Sequence, residues 1–325
     1  MATAATDIAS ATRSRSLWSR LRGGDEVAHL VTFIFAASVL LVTVLLVWKL
    51  WGASAASRHK FGWSFFTGRT WDPVAEEFGA LPFIYGTLVT SVLALFISVP
   101  LGVGAAIFLA ELAPARLSNA CTFLVELLAA VPSVIYGLLA LFTIVPLMRE
   151  YIQPFLKATL GFLPLFQGPN LGFGILAAAV VLAIMTFPFI ISISRESLME
   201  VPRDQREAAL ALGATKWEST SQVVVPYARL GIIGSIFLGL ARALGETMAV
   251  TMVIGNNPTL KASLFAPGYT IAAVIANEFS EATGEVYLSA LVELGLVLFL
   301  ITIIVNGLAR LMVIATTRKG TAQAA

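Results

Sequence analysis

Arg242 and Glu246 are ionisable residues inside a long apolar run near 230–255. A charge deep in a bilayer is costly, so its default reading is functional. Counting from Leu230 at the helical rise places Arg242 about 18 Å in, close to the midplane. Glu246 follows four residues later, one turn on along the same face, where the two side chains can pair. A guanidinium stays charged when buried and presents a planar fork of donors that matches an oxyanion. The alternative is a buried ion pair that only fixes helix orientation. Glu126 and Glu293 lie nearer the ends of their runs, where helix packing accounts for them. Thr87, Thr90, Ser91 and Ser98 form a polar stripe at helical spacing in the run near 82–110. Their hydroxyls could line a polar path, or their small size could let helices approach closely. Pro132-Ser133 sits near the centre of the run at 119–147. Proline frees a backbone carbonyl there, for a ligand contact or merely a kink.

A third group lies in the polar gap 195–229. It reads Glu207-Ala208-Ala209-Leu210-Ala211-Leu212-Gly213, with Pro226 further on. Pro202 breaks the chain on entry, and Asp204 with Glu207 has the spacing of a capping box. Gly213 is a natural helix stop. Thr215 and Glu218 form a second capping box, so another helix starts at once. The expected shape is helix, glycine hinge, helix, at the membrane surface. An alanine-faced helix offers a close-approach surface to a partner; it is also what an ordinary amphipathic loop helix looks like.

The elements that carry these groups follow from the composition. The 325 residues are 58% hydrophobic and 12% charged, with mean hydropathy +0.87. Soluble domains carry roughly twice that charge fraction, so the chain is expected to be an all-α polytopic membrane protein. A net charge of +2 gives no footprint for nucleic acid. The single cysteine, Cys121, excludes an intrachain disulfide framework. Only His29 and His59 are available as histidine ligands, and no metal or cofactor is expected. No phosphate-cradling G-x-x-x-x-G-K-[ST] stretch occurs, so the chain has no visible nucleotide site of its own.

Residues 1–27 read as a polar cytoplasmic tail, with Leu17–Arg22 able to lie at the interface as a short amphipathic helix. The run 28–51 is long enough to span a bilayer. An outer loop, 52–81, follows. Residues 82–315 hold five further spans, near 82–110, 119–147, 173–194, 230–255 and 287–311; 316–325 read as a second cytoplasmic tail. Thirteen Lys and Arg fall on the side of the N-terminus and seven on the other, with Arg242 within a span. That bias puts both termini inside. The gap 195–229 is then cytoplasmic. The outer loops hold Trp63, Phe65, Phe66 and Trp71 and a Pro/Gly-rich stretch at 154–169. Such aromatics suit an interfacial belt, or an external partner.

Glu207-Ala208-Ala209, then Gly213, Val223, Val225 and Pro226, resembles the EAA loop of ABC-importer permeases. Val225 and Val223 stand where that family usually has Leu and Ile. The stretch Leu240-Ala241-Arg242-Ala243-Leu244-Gly245-Glu246-Thr247 resembles a span of the phosphate-specific importer permeases. Ile84–Ser91, Glu126–Ser133 and Ala276–Phe279 are similar to the PstC-type subunit rather than its PstA-type partner. The likeness covers about Phe61 to the last span and leaves out the N-terminal tail. It implies a type I importer with a MetI-like permease core in a bacterial cytoplasmic membrane. It implies a second, PstA-type permease, a PstB-type ATPase dimer and a PstS-type external phosphate-binding protein as partners. It places Arg242, with Glu246 beside it, on the path of inorganic phosphate. It makes Glu207, Ala208, Ala209, Gly213 and Pro226 the docking element for the ATPase, and the chain itself not an enzyme.

Three other readings compete. Another oxyanion, sulfate or molybdate, would use the same donors. A secondary transporter would need no ATPase and would leave the EAA-like loop without a role. A membrane-embedded enzyme is the weakest, since the spans hold no His cluster, paired Asp or nucleophile–base set.

Overall fold

The computed structural model describes the backbone of residues 25–322 and the side chains of residues 27–311. The expectations for the N-terminal tail up to residue 24 and for the last three residues lie outside the described residues. Contacts divide the chain into two units, one ending at Gly52 and one starting at Ala53. Of the first unit, the described part is α1 (Asp25–Ala53), apolar almost throughout.

The second unit begins with two short helices, α2 (Ala55–Phe61) and α3 (Ser64–Thr67). A two-residue hairpin follows, β1 (Trp71–Asp72) and β2 (Glu77–Phe78), with Trp71 opposite Phe78. Long helices come next: α4 (Leu81–Leu112), α5 (Ala115–Ala130), α6 (Ser133–Leu160) and α7 (Ile175–Met199). After α7 come α8 (Arg203–Ala211), α9 (Lys216–Gly245) and α10 (Met248–Ile254). The chain closes with α11 (Ile271–Glu278) and α12 (Glu285–Ala322). Six helices among the described residues are long and apolar enough to cross a membrane.

The central element is α7. Most of its side chains are buried, and it packs on α4, α9, α5 and α10. A helix apolar all round belongs inside a bundle rather than on its surface. Its Ala177-Ala178-Ala179 run and Val181, Leu182 and Met185 form the middle core with Tyr136, Ala243, Ala249 and Val250. One end of the bundle is closed by Ala106, Leu198, Val201, Val224 and Ala228. The other is closed by an aromatic cluster in which Phe65, Phe78, Phe83 and Tyr269 are buried, with Trp71 and Tyr287 against them. Phe65 thus belongs to a core rather than to an interfacial belt, whereas Trp63 is exposed. Burial first, and the Glu278 charge after it, push the Tyr269 phenol up to about 12, so it stays a neutral hydrogen-bonding group. Its oxygen accepts from Asn277 Nδ2 at 3.0 Å.

Two spans differ from the sequence expectation. Around the expected run 119–147, the helix is interrupted at Val131-Pro132, and the continuous piece is Ser133–Leu160. Both residues are extended, with ψ near 129° and 142°. Pro132 favours this, because a following proline disfavours helical geometry at Val131. The fifth span starts at Lys216 rather than near 230, because its capping box launches a helix that runs on through a π turn at Thr220–Val224. That helix ends at Gly245 instead of reaching 255.

Candidate functional site

Arg242 lies in the last turn of α9, at the point where the helix breaks before α10. Its guanidinium carbon sits 4.2 Å from the centroid of the Phe189 ring on α7. Stacking of this kind holds a cation by the ring quadrupole without consuming its hydrogen bonds. The Arg242 Nε is buried and has no hydrogen-bond partner. Tyr136 on α6 lies within its electrostatic reach, and Tyr136 donates to the Leu128 carbonyl at 2.7 Å across the Val131-Pro132 break. α6 also packs closely on α10: a Cβ on Gly137 would stand 3.1 Å from Ala249 Cα.

Glu246 does not pair with Arg242. The expected pair assumed an unbroken helix, but α9 stops at Gly245 and Glu246 is extended, with φ −69° and ψ 130°. Its carboxylate turns the other way and accepts from the Ala249 backbone N–H at 3.4 Å. Satisfying an orphan N–H at the start of α10 is the ordinary use of a carboxylate at a helix N-terminus. The consequence is a fixed cation with an unused donor, beside two breaks in the helical backbone.

The hydroxyl stripe has a different fate. Thr87, Thr90, Ser91 and Ser98 are all buried within the bundle. Thr87 Oγ1 donates to the Phe83 carbonyl at 2.8 Å and accepts from the Ile271 backbone N–H at 3.0 Å. Thr90 Oγ1 donates to Gly86 at 2.7 Å. These two are fastened inside α4 and to the start of α11. Ser91 and Ser98 hydroxyls are buried without a partner. Ser133 is half-buried at the first turn of α6, directly after the break. Glu126 is exposed on α5, and Glu293 is buried against α2, whose Ser57 N–H donates to Ser289 at 2.9 Å.

At the Leu198 end, α8 has no buried residue. Glu207 and Ala208 are exposed and Ala209 is half-buried. Asp204 does not cap this helix: Pro202 stands at the N-cap, the helix starts at Arg203, and Asp204 falls in its first turn. A proline just outside the start leaves one fewer orphan donor, which shifts the boundary. Gly213 has φ +88°, and a Schellman pair closes the helix, Ala214 N–H to Ala209 and Gly213 N–H to Leu210. The Thr215–Glu218 capping box is formed on both sides. Pro226 follows the π turn within α9. Leu212, named in the sequence only as part of the helical stretch, is 90% exposed, and Trp217, not singled out there, is 59% exposed, on either side of the hinge. Large apolar side chains in an otherwise polar gap were the available signal.

Comparison with known proteins adds four findings. The family described as "Binding-protein-dependent transport system inner membrane component" matches residues 98–316. The "Phosphate transport system permease protein PstC" of Xylella fastidiosa (strain 9a5c) is 51% identical over 294 residues, covering 88% of this chain and 90% of that one. The protein of the same description in Mesorhizobium japonicum is 47% identical over 292 residues, covering 89% of each. Among solved structures, a chain of a bacterial alginate ABC transporter in complex with an alginate pentasaccharide-bound periplasmic protein aligns with a TM-score of 0.58 at 15% identity, over 91% of this chain and 96% of that chain. At that identity the likeness is one of fold.

Proposed function

Because the chain belongs to the family of binding-protein-dependent transport system inner membrane components, and within it to the PstC phosphate permeases, we propose that it carries inorganic phosphate past Arg242. It is a multi-pass inner-membrane protein and a permease subunit of a phosphate ABC importer. Permeases of this kind work with ATPase and binding-protein partners. The finer assignment is ours: a PstA-type permease beside it, a PstB-type ATPase dimer at α8, and a PstS-type protein delivering phosphate on the opposite side. ATP hydrolysis belongs to the separate ATPase, and both termini face the cytoplasm.

The observation that carries the proposal is the buried, unpartnered Arg242 Nε beside Phe189. A buried donor left unmade is costly, and a phosphate oxygen would satisfy it with a charge-assisted bond. The site offers one cation and no enclosing cage, which suits an ion that must leave as readily as it enters. The second feature is the exposed α8 and its neighbours Leu212 and Trp217, available to a docking groove.

The test is reconstitution of the copurified complex in liposomes. Phosphate uptake is expected only with ATP and the external binding protein present, with sulfate and molybdate failing to compete. Uptake without ATP would make the chain part of a secondary transporter. Preference for sulfate or molybdate would change the substrate.

A further inference from the structure

Arg206 lies one residue before the EAA-like sequence and ties α8 to the ends of α4 and α7, which pack on each other. Its Nε donates to both carboxylate oxygens of Glu111, at 3.2 Å each, and its Nη2 donates to Glu111 Oε1 at 2.7 Å. Glu111 lies in the π turn Phe108–Leu112 that ends α4. The same Nη2 donates to the Leu198 carbonyl at 2.7 Å, and Nη1 donates to the Val201 carbonyl. The Leu198 carbonyl lies in the last turn of α7, where it also accepts from the Val201 N–H at 3.4 Å, and Val201 follows just after the helix end. All three guanidinium nitrogens are therefore engaged, at the ends of α4 and α7, from a position on α8.

Two further observations give this arrangement meaning. Among the described residues, every side-chain hydrogen bond from α8 to another element comes from Arg206. The pair is also well shielded, with the Arg206 side chain 21% and the Glu111 side chain 10% exposed. Shielding from water and bidentate geometry separate it from an ordinary surface ion pair. It is not packed solid, however. Ala110, Glu111, Met199, Arg203, Arg206 and Glu207 line a cleft of about 410 Å³ around it. A strong directional link with free space beside it transmits displacement and still permits rotation.

We propose that Arg206 and Glu111 are positioning residues for coupling: they form the joint through which movement of α8 reaches the inner ends of α4 and α7. The route continues to the anion site. Phe189, whose ring holds Arg242, lies on α7 nine residues before Leu198, about 13 Å along the helix axis. A pull on the end of α7 thus bears on the aromatic face that holds the Arg242 guanidinium. Lysine in place of Arg206 would keep the charge but lose the planar fork that reaches a carboxylate and two carbonyls together.

This inference rests on the coupling role assigned to α8 above. Its test uses the complete complex in ATP-loaded liposomes, with phosphate moved per ATP hydrolysed as the readout. The wild-type complex must first show ATP-dependent uptake; its failure to do so would reject the functional reading itself. Given that, Glu111→Gln and Arg206→Lys are expected to keep the ATPase bound and hydrolysing. The phosphate moved per ATP should fall by about tenfold, the scale set by one charged hydrogen bond. A purely structural pair would lower yield and thermal stability and leave that ratio unchanged in the complexes that assemble. An unchanged ratio in both variants would overturn the proposal. Should either variant fail to assemble, the exchange Glu111→Arg with Arg206→Glu restores opposite charges. Assembly with a lowered ratio supports the joint, because the exchanged Glu cannot donate to Leu198 and Val201; assembly with a normal ratio refutes it.

Discussion

Arg242 is held by an aromatic ring and not by a carboxylate, and this decides how its variants should behave. Were it a partner of Glu246, Arg242→Gln would leave a buried carboxylate alone, assembly would suffer, and adding Glu246→Gln would rescue it. Glu246 instead serves the Ala249 N–H. Glutamine at 246 still presents an oxygen to that N–H, so Glu246→Gln is expected to transport nearly normally. Arg242→Gln should assemble and lose phosphate uptake by at least about tenfold, since charged hydrogen bonds are the strong ones. The double variant should match the single Arg242 variant. Near-normal uptake in the double variant, measured with labelled phosphate, would show Arg242 to be structural. The type of Arg242 was legible in the sequence; its depth was counted from Leu230, whereas the helix starts at Lys216 and holds Arg242 in its last turn. Its partner was not legible, because pairing four residues apart presupposes a continuous helix, and a glycine in an apolar run does not by itself tell a helix end from a helix that runs on, as α4 does through Gly86 and Gly102.

At the scale of elements, the segment α8–Gly213–α9 was read nearly complete from the sequence. Caps and stops are made by neighbours in the chain, so Thr215–Glu218 and Gly213 announce themselves before any tertiary contact exists. Gly213→Leu forces a side chain into a left-handed conformation that costs about 1–2 kcal/mol. A Cβ at Gly213 meets no other atom of the chain within 4 Å, so the bundle itself is not disturbed. The variant should insert in the membrane normally and lose bound ATPase or uptake. Leu212→Asp, at a side chain almost wholly exposed, should act the same way with no cost to folding. Copurification of the ATPase and uptake measure both, and normal values for the two variants would remove the docking role. The hydroxyl stripe on α4 shows the opposite case. Helical spacing put Thr87 and Thr90 on one face, but only the arrival of α11 makes Thr87 a cap for Ile271. Sequence spacing cannot tell a polar path from a polar fastening.

For the whole molecule, the charge bias and the alternation of spans agree on one orientation, and cysteine labelling tests it. With Cys121 first replaced by Ala, a cysteine at Ala211 should be protected from an impermeant thiol reagent outside intact cells. A cysteine at Ala262, exposed in the loop before α11, should react. The reverse pattern would invert the topology and take α8 away from the compartment that holds ATP.

The sequence by itself determined the solvent and the local punctuation. Apolar runs of bilayer length, few charges, Gly213 as a stop and Arg242 as a costly exception are properties of residues and their near neighbours. Six membrane-length helices follow from them. Only the tertiary structure decided which groups meet. It set α7 at the centre, laid Phe189 against Arg242, turned Glu246 to α10, and brought Glu111 to Arg206 across 95 residues. The physical reason is that hydrophobicity and capping act over a few residues. A buried cation, in contrast, takes whatever partner the packing of distant helices brings within hydrogen-bond or van der Waals reach.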